Sequence, residues 1–370
     1  MFISRLELEN FRNFPSLDLN FSEEKNLTVL FGENGQGKTN ILESIYSLAL
    51  TRSFRTKNFQ DAIMWGREHG RIKGEIANKE RTHKLEIAFT GGPSKQKRLK
   101  KEGVTVESKK YLHHLTAVMF SPEDVHIIIG EPDDRRKYLN LIGVQVFRGF
   151  LEILVSYNRA LKNRNEILKS IAKGRSKIAD LEIWDECLAE TGLEIFARRQ
   201  EILDYIGNKM NAKYHELSGN GGEIDIQRKT YIPLTKEEYL SRLNESQDFD
   251  IRMHKTNFGP HRDDFMMTLG GHEIKKFCSR GECRTIVLAL KLIEMEFVEG
   301  QTGEKPILLL DDVLSELDHK HQEHLIKAIS GYQTFLTTTC AEHLDKFGGN
   351  RIEMVEVRSG VCTHADCPVG

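Results

Sequence analysis

Apolar and charged residues alternate over residues 3–8 and again over 16–21, which predicts an antiparallel strand pair turning around residues 10–15. Residues 27–31 form a short, β-rich apolar run, the mark of a buried strand. Residues 40–50 then carry Ile41, Leu42, Ile45, Leu48 and Ala49 at helical spacing. A polar, basic loop at 51–55 precedes strand-like segments at 71–76 and 83–89. A turn at 91–93 leads to the basic run 95–101 and the strand-like 104–106, together a hairpin with a basic arm. Residues 115–120 read as a further buried strand.

From residue 133 to about 217 the spacing is helical almost throughout, with long segments at 135–141, 147–168 and 179–214. A glycine-rich turn at 219–223, a strand at 224–231 and a short helix at 237–243 follow, and strand–helix alternation returns after residues 257–264. The pattern predicts an α/β domain built from both ends of the chain, 1–120 and 256–370. A mostly helical segment, 121–255, interrupts it, without internal repeats or low-complexity tracts.

The 370 residues carry a formal net charge of −2 with 29% charged side chains, so any nucleic-acid surface has to be a local patch. No run of eighteen apolar residues offers a membrane span, and the first residues enter a strand directly rather than a signal peptide. Six scattered cysteines point to reduced thiols and a cytoplasmic location.

The chemistry concentrates in Gly32-Glu33-Asn34-Gly35-Gln36-Gly37-Lys38-Thr39, a P-loop pattern set between the predicted strand and helix. Wrapping a polyphosphate with backbone N–H groups demands glycine where a Cβ would collide. The helix start adds unpaired N–H donors and a partial positive charge. Lys38 can reach the β- and γ-phosphates, and the Thr39 hydroxyl can ligand Mg²⁺. A nucleoside triphosphate is the expected ligand; the competing reading is a glycine-rich turn before an ordinary helix.

A second apolar run, 306–312, ends in Asp311 and Asp312, the place where P-loop ATPases hold the metal and activate water. Asp311 is the candidate metal residue and Asp312 the candidate water activator. Ser315-Glu316-Leu317-Asp318 follows. Between the two half-sites, Ser279-Arg280-Gly281 opens the helical stretch 285–297, with Ser279 a suitable N-cap and Gly281 leaving N–H groups open to an anion.

The order of these three elements resembles the ABC-type ATPases. In that superfamily the serine–glycine element of one subunit meets the γ-phosphate held by the other's P-loop. The resemblance implies a head-to-tail, ATP-dependent homodimer. Asn10 to Phe14, Ser53-Phe54-Arg55, Phe120-Ser121-Pro122-Glu123-Asp124, Arg135-Arg136, Tyr157-Asn158-Arg159-Ala160-Leu161, Arg164-Asn165 and Gly259-Pro260-His261-Arg262-Asp263-Asp264 extend the match along nearly the whole chain. Together they resemble the RecF family, bacterial recombination mediators related to SMC heads.

That resemblance implies ATP-dependent binding of double-stranded DNA near single-strand gaps and slow, DNA-stimulated hydrolysis. It further implies cooperation with RecR and RecO in RecA assembly, with ATP and Mg²⁺ as cofactors. The family usually follows Ser-Arg-Gly with two glutamines; here Glu282 and Cys283 stand instead. This carboxylate opposes dimerisation unless Arg280 or Arg284 compensates it. The resemblance also assigns Arg12 and Asn13 to the nucleotide, although Asn13 and Pro15 equally suit a hairpin turn. It leaves a γ-phosphate sensor open among Thr337, Thr338, Thr339 and His343.

Lys95, Lys97, Arg98, Lys100 and Lys101, with Lys109 and Lys110 nearby, are candidate phosphate contacts, without any sign of base readout. Arg159, Lys162, Arg164 and Lys169 along one helical side form the alternative surface. In Cys362-Thr363-His364-Ala365-Asp366-Cys367 three potential ligands crowd together, but a structural zinc site needs a fourth and usually tighter cysteine spacing. His261 is expected in a turn packing between the two domains. Three rival functions remain: a transporter's nucleotide-binding subunit, an SMC-like chromosome organiser, whose long heptad arm is missing here, and a scaffold that holds ATP without hydrolysing it.

Overall fold

The computed structural model describes residues 1–78, 81–92, 95–219, 222–339 and 352–365. The chain opens with β1 (Phe2–Phe11), β2 (Phe14–Asn20) and β3 (Leu27–Phe31), and the P-loop then leads into α1 (Lys38–Leu50). Next come β4 (His69–Ala77), β5 (Thr82–Thr90), β6 (Gln96–Lys101), β7 (Val104–Val106) and β8 (Ala117–Phe120). The middle holds α2 (Pro132–Val146), α3 (Phe150–Ala172), α4 (Glu182–Ser218), β9 (Ile224–Arg228), α5 (Lys236–Glu245), α6 (Gln247–Met253), β10 (Phe265–Leu269) and β11 (His272–Glu273). The chain continues through α7 (Arg280–Thr302), β12 (Ile307–Asp311), α8 (His319–Ile329), β13 (Thr334–Thr338), β14 (Ile352–Arg358) and β15 (Val361–Ala365).

Two compact units result: residues 1–124, 216–219 and 284–370 form one, and 125–215 with 220–283 the other. The first contains two six-stranded sheets. One runs β15-β14-β3-β13-β12-β8, with β14, β3, β13, β12 and β8 mutually parallel. Parallel strands are covered on both faces, which is why β3, β8, β12 and β13 are buried residue after residue without alternation, threonines included. The other sheet, β2-β1-β4-β5-β6-β7, is antiparallel and alternates. A bulge between Ile3 and Arg5 resets its alternation, so that Ile3 and Leu6 both point inward. Helix α1 meets strands of both sheets. Residues 41–50 are all buried, Glu43, Ser44 and Ser47 included, so the helix is enclosed on every side.

The outer face of the antiparallel sheet is a ladder of cross-strand ion pairs: Arg5–Asp18 at 2.6 Å, Lys73–Glu7 at 2.7 Å, Arg71–Glu9 at 3.0 Å, Lys84–Glu75 at 3.2 Å and Lys100–Glu86 at 2.7 Å. The solvent-facing pairs each add little stability, but together the ladder neutralises the face.

In the second unit the helices are accompanied by a small sheet, β11-β10-β9. This sheet corrects the expected domain boundary at residue 255. Because β10 pairs along its length with β9, residues up to 283 belong with the middle of the chain. Asp263 and Asp264 strengthen the bond. Asp264 accepts from Arg135 Nε at 2.6 Å, while Asp263 accepts from Arg199 at 3.1 Å and Arg228 at 2.8 Å.

His261 lies inside this unit rather than between domains. Its Nε2 donates to the Thr256 carbonyl at 2.9 Å and its Nδ1 accepts from the Tyr157 hydroxyl at 2.6 Å. Gly259, at φ +133°, permits that contact, since a Cβ there would stand 2.4 Å from the Tyr157 oxygen. Arg164 is fully buried, bound to Asp185 at 2.5 Å and Asp250 at 2.7 Å. It is a core residue, and the basic stripe expected along α3 loses its central member.

Candidate functional site

The P-loop joins β3 to α1, and the residues around it fix its course. Gly32 has φ +143°, and a Cβ would lie 2.4 Å from the carbonyl oxygen of Val357 on β14. The first fixed glycine is therefore demanded by the neighbouring strand as well as by phosphate chemistry. Gly37, at φ +118°, lies against the Asn13 side chain, which a Cβ would meet at 2.7 Å. Asn13 in turn donates from Nδ2 to the Gln36 carbonyl at 2.7 Å and accepts from Asn40 at 2.7 Å. From the far end of the chain, the Ser359 N–H donates to Gln36 Oε1 at 2.6 Å.

Lys38 turns back onto its own loop, donating to the carbonyls of Gly32 at 2.6 Å and Glu33 at 2.8 Å. Burial holds its ammonium below the ordinary lysine range, with Asp312 and Asp311 opposing the shift. Asp311, at the end of β12, accepts from the Thr39 hydroxyl at 2.8 Å and from the Thr337 hydroxyl at 2.8 Å through the same Oδ1. Asp312 takes a left-handed backbone, φ 51°, and donates its N–H to Thr337 Oγ1 at 2.9 Å. Residues 272 apart in sequence thus become hydrogen-bonded neighbours.

These groups line one cavity of about 790 Å³, shared by Arg12, Asn34, Gly35, Arg55, Trp65 and Thr339. Thr39 and Asp311 present oxygen donors side by side, the ligand type that Mg²⁺ selects. Arg12 also borders the cavity, yet its guanidinium is already committed. Nε and Nη2 bind Glu43 at 2.9 and 2.6 Å, and Nη1 binds the Asp61 carbonyl at 2.9 Å. Glu43 was missed in the sequence; an acid among the apolar residues of a helix that must be buried was the available signal. Among the threonines left open, Thr337 bonds to both Asp311 and Asp312, whereas His343 lies outside the described residues.

Ser279 and Gly281 belong to the second unit. The Ser279 N–H and hydroxyl donate to Glu282 Oε2 at 2.8 and 2.7 Å, and the Glu282 N–H returns to Ser279 Oγ at 3.3 Å. This is a capping box at the start of α7. The hydrogen bonds from Ser279 hold the Glu282 carboxyl below its ordinary range. Arg284 pairs with Glu316 at 3.0 Å rather than with Glu282.

The basic arm is largely engaged. Lys97 exposes its stem but tucks its ammonium onto the Thr51 carbonyl at 2.7 Å, over the Phe59 ring, and burial lowers its pKa. Lys100 pairs with Glu86, and Lys101 Nζ donates to His114 Nε2 at 2.7 Å. Arg98 contacts Gln96 at 3.0 Å on the exposed face, and Lys95 is exposed just before β6. Cys362 and His364 lie on β15, where His364 faces Glu353 at 3.3 Å. Asp366 and Cys367 fall outside the described residues, and among those described no cluster of three or more such side chains suits a metal ion.

A family model described as the RecF/RecN/SMC N terminal domain matches residues 2–363. The DNA replication and repair protein RecF of Streptococcus suis is 38% identical over 374 residues, covering 99% of this chain and all of that protein. The protein of the same name from Lachnoclostridium phytofermentans is 36% identical over 354 residues, 95% of this chain and 96% of its own length. This chain belongs to the RecF family.

A solved structure of the recombination mediator protein RecF with ATP, from the RecFOR pathway, superimposes with a TM-score of 0.89 at 32% identity, covering 98% of this chain and 97% of that one. An Smc head bound to the C-terminal winged-helix domain of ScpA matches with a TM-score of 0.57 at 16% identity, over 99% of this chain and 97% of that one, and so shares its fold. The RecF fold here is accordingly the α/β, SMC head-like form of the ABC-type ATPases. The longest described helix, α4, has 37 residues, and among the described residues there is no long coiled coil. Among the described residues no helix is long and apolar enough to cross a membrane.

Proposed function

We propose that this chain is an ATP-driven DNA clamp of recombinational repair. It binds ATP with Mg²⁺, dimerises head to tail, and holds double-stranded DNA near single-strand gaps. In that state it works with RecR and RecO to promote RecA loading. Hydrolysis is slow and DNA-stimulated, and releases the clamp.

The observation that carries the reading is the 2.8 Å contact between Thr39 and Asp311, which joins the two halves of an ATPase site beside Lys38. On this reading the P-loop backbone from Gly32 to Thr39 cradles the phosphates. Lys38 exchanges its two loop carbonyls for β- and γ-phosphate oxygens. Thr39 and Asp311 hold Mg²⁺, which when bound neutralises charge developing on the transferred phosphate. Asp312 orients the attacking water, and Thr337 fixes both aspartates. Asn13 braces the loop at Gln36 and Arg12 braces the following helix at Glu43; Ser279 and Gly281 meet the partner subunit's triphosphate. The family membership and the relative solved with ATP support the nucleotide assignment.

Fluorescence anisotropy on gapped duplex DNA, with ATP, without ATP and with Lys38→Met, tests the proposal. Binding that needs both ATP and Lys38 is expected. Equal binding in all three conditions would refute a nucleotide-closed clamp.

A further inference from the structure

The cavity that contains Lys38, Thr39 and Asp311 has a wall that phosphate chemistry does not use: Asp61, Ile63, Met64 and Trp65. Trp65 is 97% exposed, a large aromatic ring left almost entirely to solvent while lining a site. The backbone that carries it is fixed. Ile63 bridges to Phe11, the Met64 N–H donates to the Asn10 carbonyl at 2.9 Å, and the Arg12 N–H donates to the Ala62 carbonyl at 2.7 Å. The indole thus stands at the cavity's edge on a backbone tied to the first hairpin, with its own surface uncovered.

The polar groups around it point elsewhere. The Ile63 N–H is bound to the Gln60 carbonyl, the Met64 carbonyl accepts from Arg67, and the Asp61 carbonyl accepts from Arg12. The Arg12 guanidinium itself is spent on Glu43. This wall offers a π-face and few uncommitted groups to read a base edge.

We propose that Trp65 is the nucleobase platform of the site, gripping the purine of the bound nucleotide by stacking and discriminating little between adenine and guanine. The inference rests on the ATP reading above. Stacking on an aromatic side chain tolerates any base, because every base presents a π-face.

Isothermal titration calorimetry on the full chain with Mg²⁺ tests it, using ATP, GTP and inorganic tripolyphosphate, the last lacking a base. Trp65→Ala should weaken ATP and GTP alike by about 5- to 100-fold and leave tripolyphosphate unchanged. Trp65→Phe should restore most of the loss. ATP affinity unchanged in Trp65→Ala overturns the platform, and so does an equal loss for tripolyphosphate, which would trace the effect to the P-loop. Wild-type protein that binds neither ATP nor tripolyphosphate overturns both this inference and the nucleotide site itself.

Discussion

Arg12 forks onto Glu43, joining the first β-hairpin to the buried helix that follows the P-loop. Glu43 is fully buried and also accepts from the Ser53 hydroxyl at 2.5 Å, so two segments beyond the helix depend on one carboxylate. Removing the guanidinium leaves that buried charge only the Ser53 hydroxyl and the longer 3.8 Å ion pair with Arg55. Arg12→Ala should lower the unfolding free energy by about 3 kcal/mol, read by urea denaturation. Arg12→Lys should recover only part of it, because an ammonium cannot reproduce the two-pronged contact.

Thr337 holds both aspartates of the site through one hydroxyl. Thr337→Val keeps the volume and deletes both hydrogen bonds. ATP turnover should fall about 10- to 100-fold, the scale of a small misplacement of catalytic groups, while ATP affinity changes little. Thr337→Ser should restore turnover. Phosphate-release kinetics beside a binding titration separate the two effects.

Stability should fall as pH drops from 6.5 towards 4. Burial lowers His261 from 6.5 to about 4, and its neutral ring is the form that both hydrogen bonds require. His114 is likewise lowered to about 4, by burial and then by Lys101. In that window the unfolded chain takes up protons that the folded chain refuses, so folding loses free energy as acid is added. Above pH 6.5 the rings are neutral in both states and contribute nothing. His261→Gln should flatten part of the slope in urea unfolding measured across this range.

If the basic arm touches DNA, it does so through few groups. Lys95→Ala with Arg98→Ala should reduce the salt dependence of DNA affinity by a slope of about 2. Lys97→Met should leave that slope unchanged, since its ammonium is bound to Thr51. Anisotropy titrations at several salt concentrations decide between them.

The nucleotide half-sites were legible because their chemistry restricts residue types at fixed spacing. Strand, glycine loop and helix stood in the expected order, and Thr39 and Asp311 do meet. What could not be read depends on partners distant in sequence. Arg164 lies on a helix whose charged side suggested a surface, but Asp185 and Asp250 lie 21 and 86 residues away and draw it into the core. The run from Lys95 to Lys101 looked like a cationic arm because Glu86 and the Thr51 carbonyl are invisible in the run itself. The boundary expected at residue 255 failed for the same reason: β10 completes a sheet begun by β9.

Strand β3 lies between β13 and β14, and Val29 is paired with Leu336 on one side and Met354 on the other. At about 5–20 residues per second, roughly 15–65 s separate the synthesis of Val29 from that of its later partner, Met354. Through that interval an apolar strand waits unpaired, a window in which a chaperone or an aggregate can reach it first. A nascent chain stopped short of residue 334 carries every residue of the P-loop and neither of the strands that flank β3.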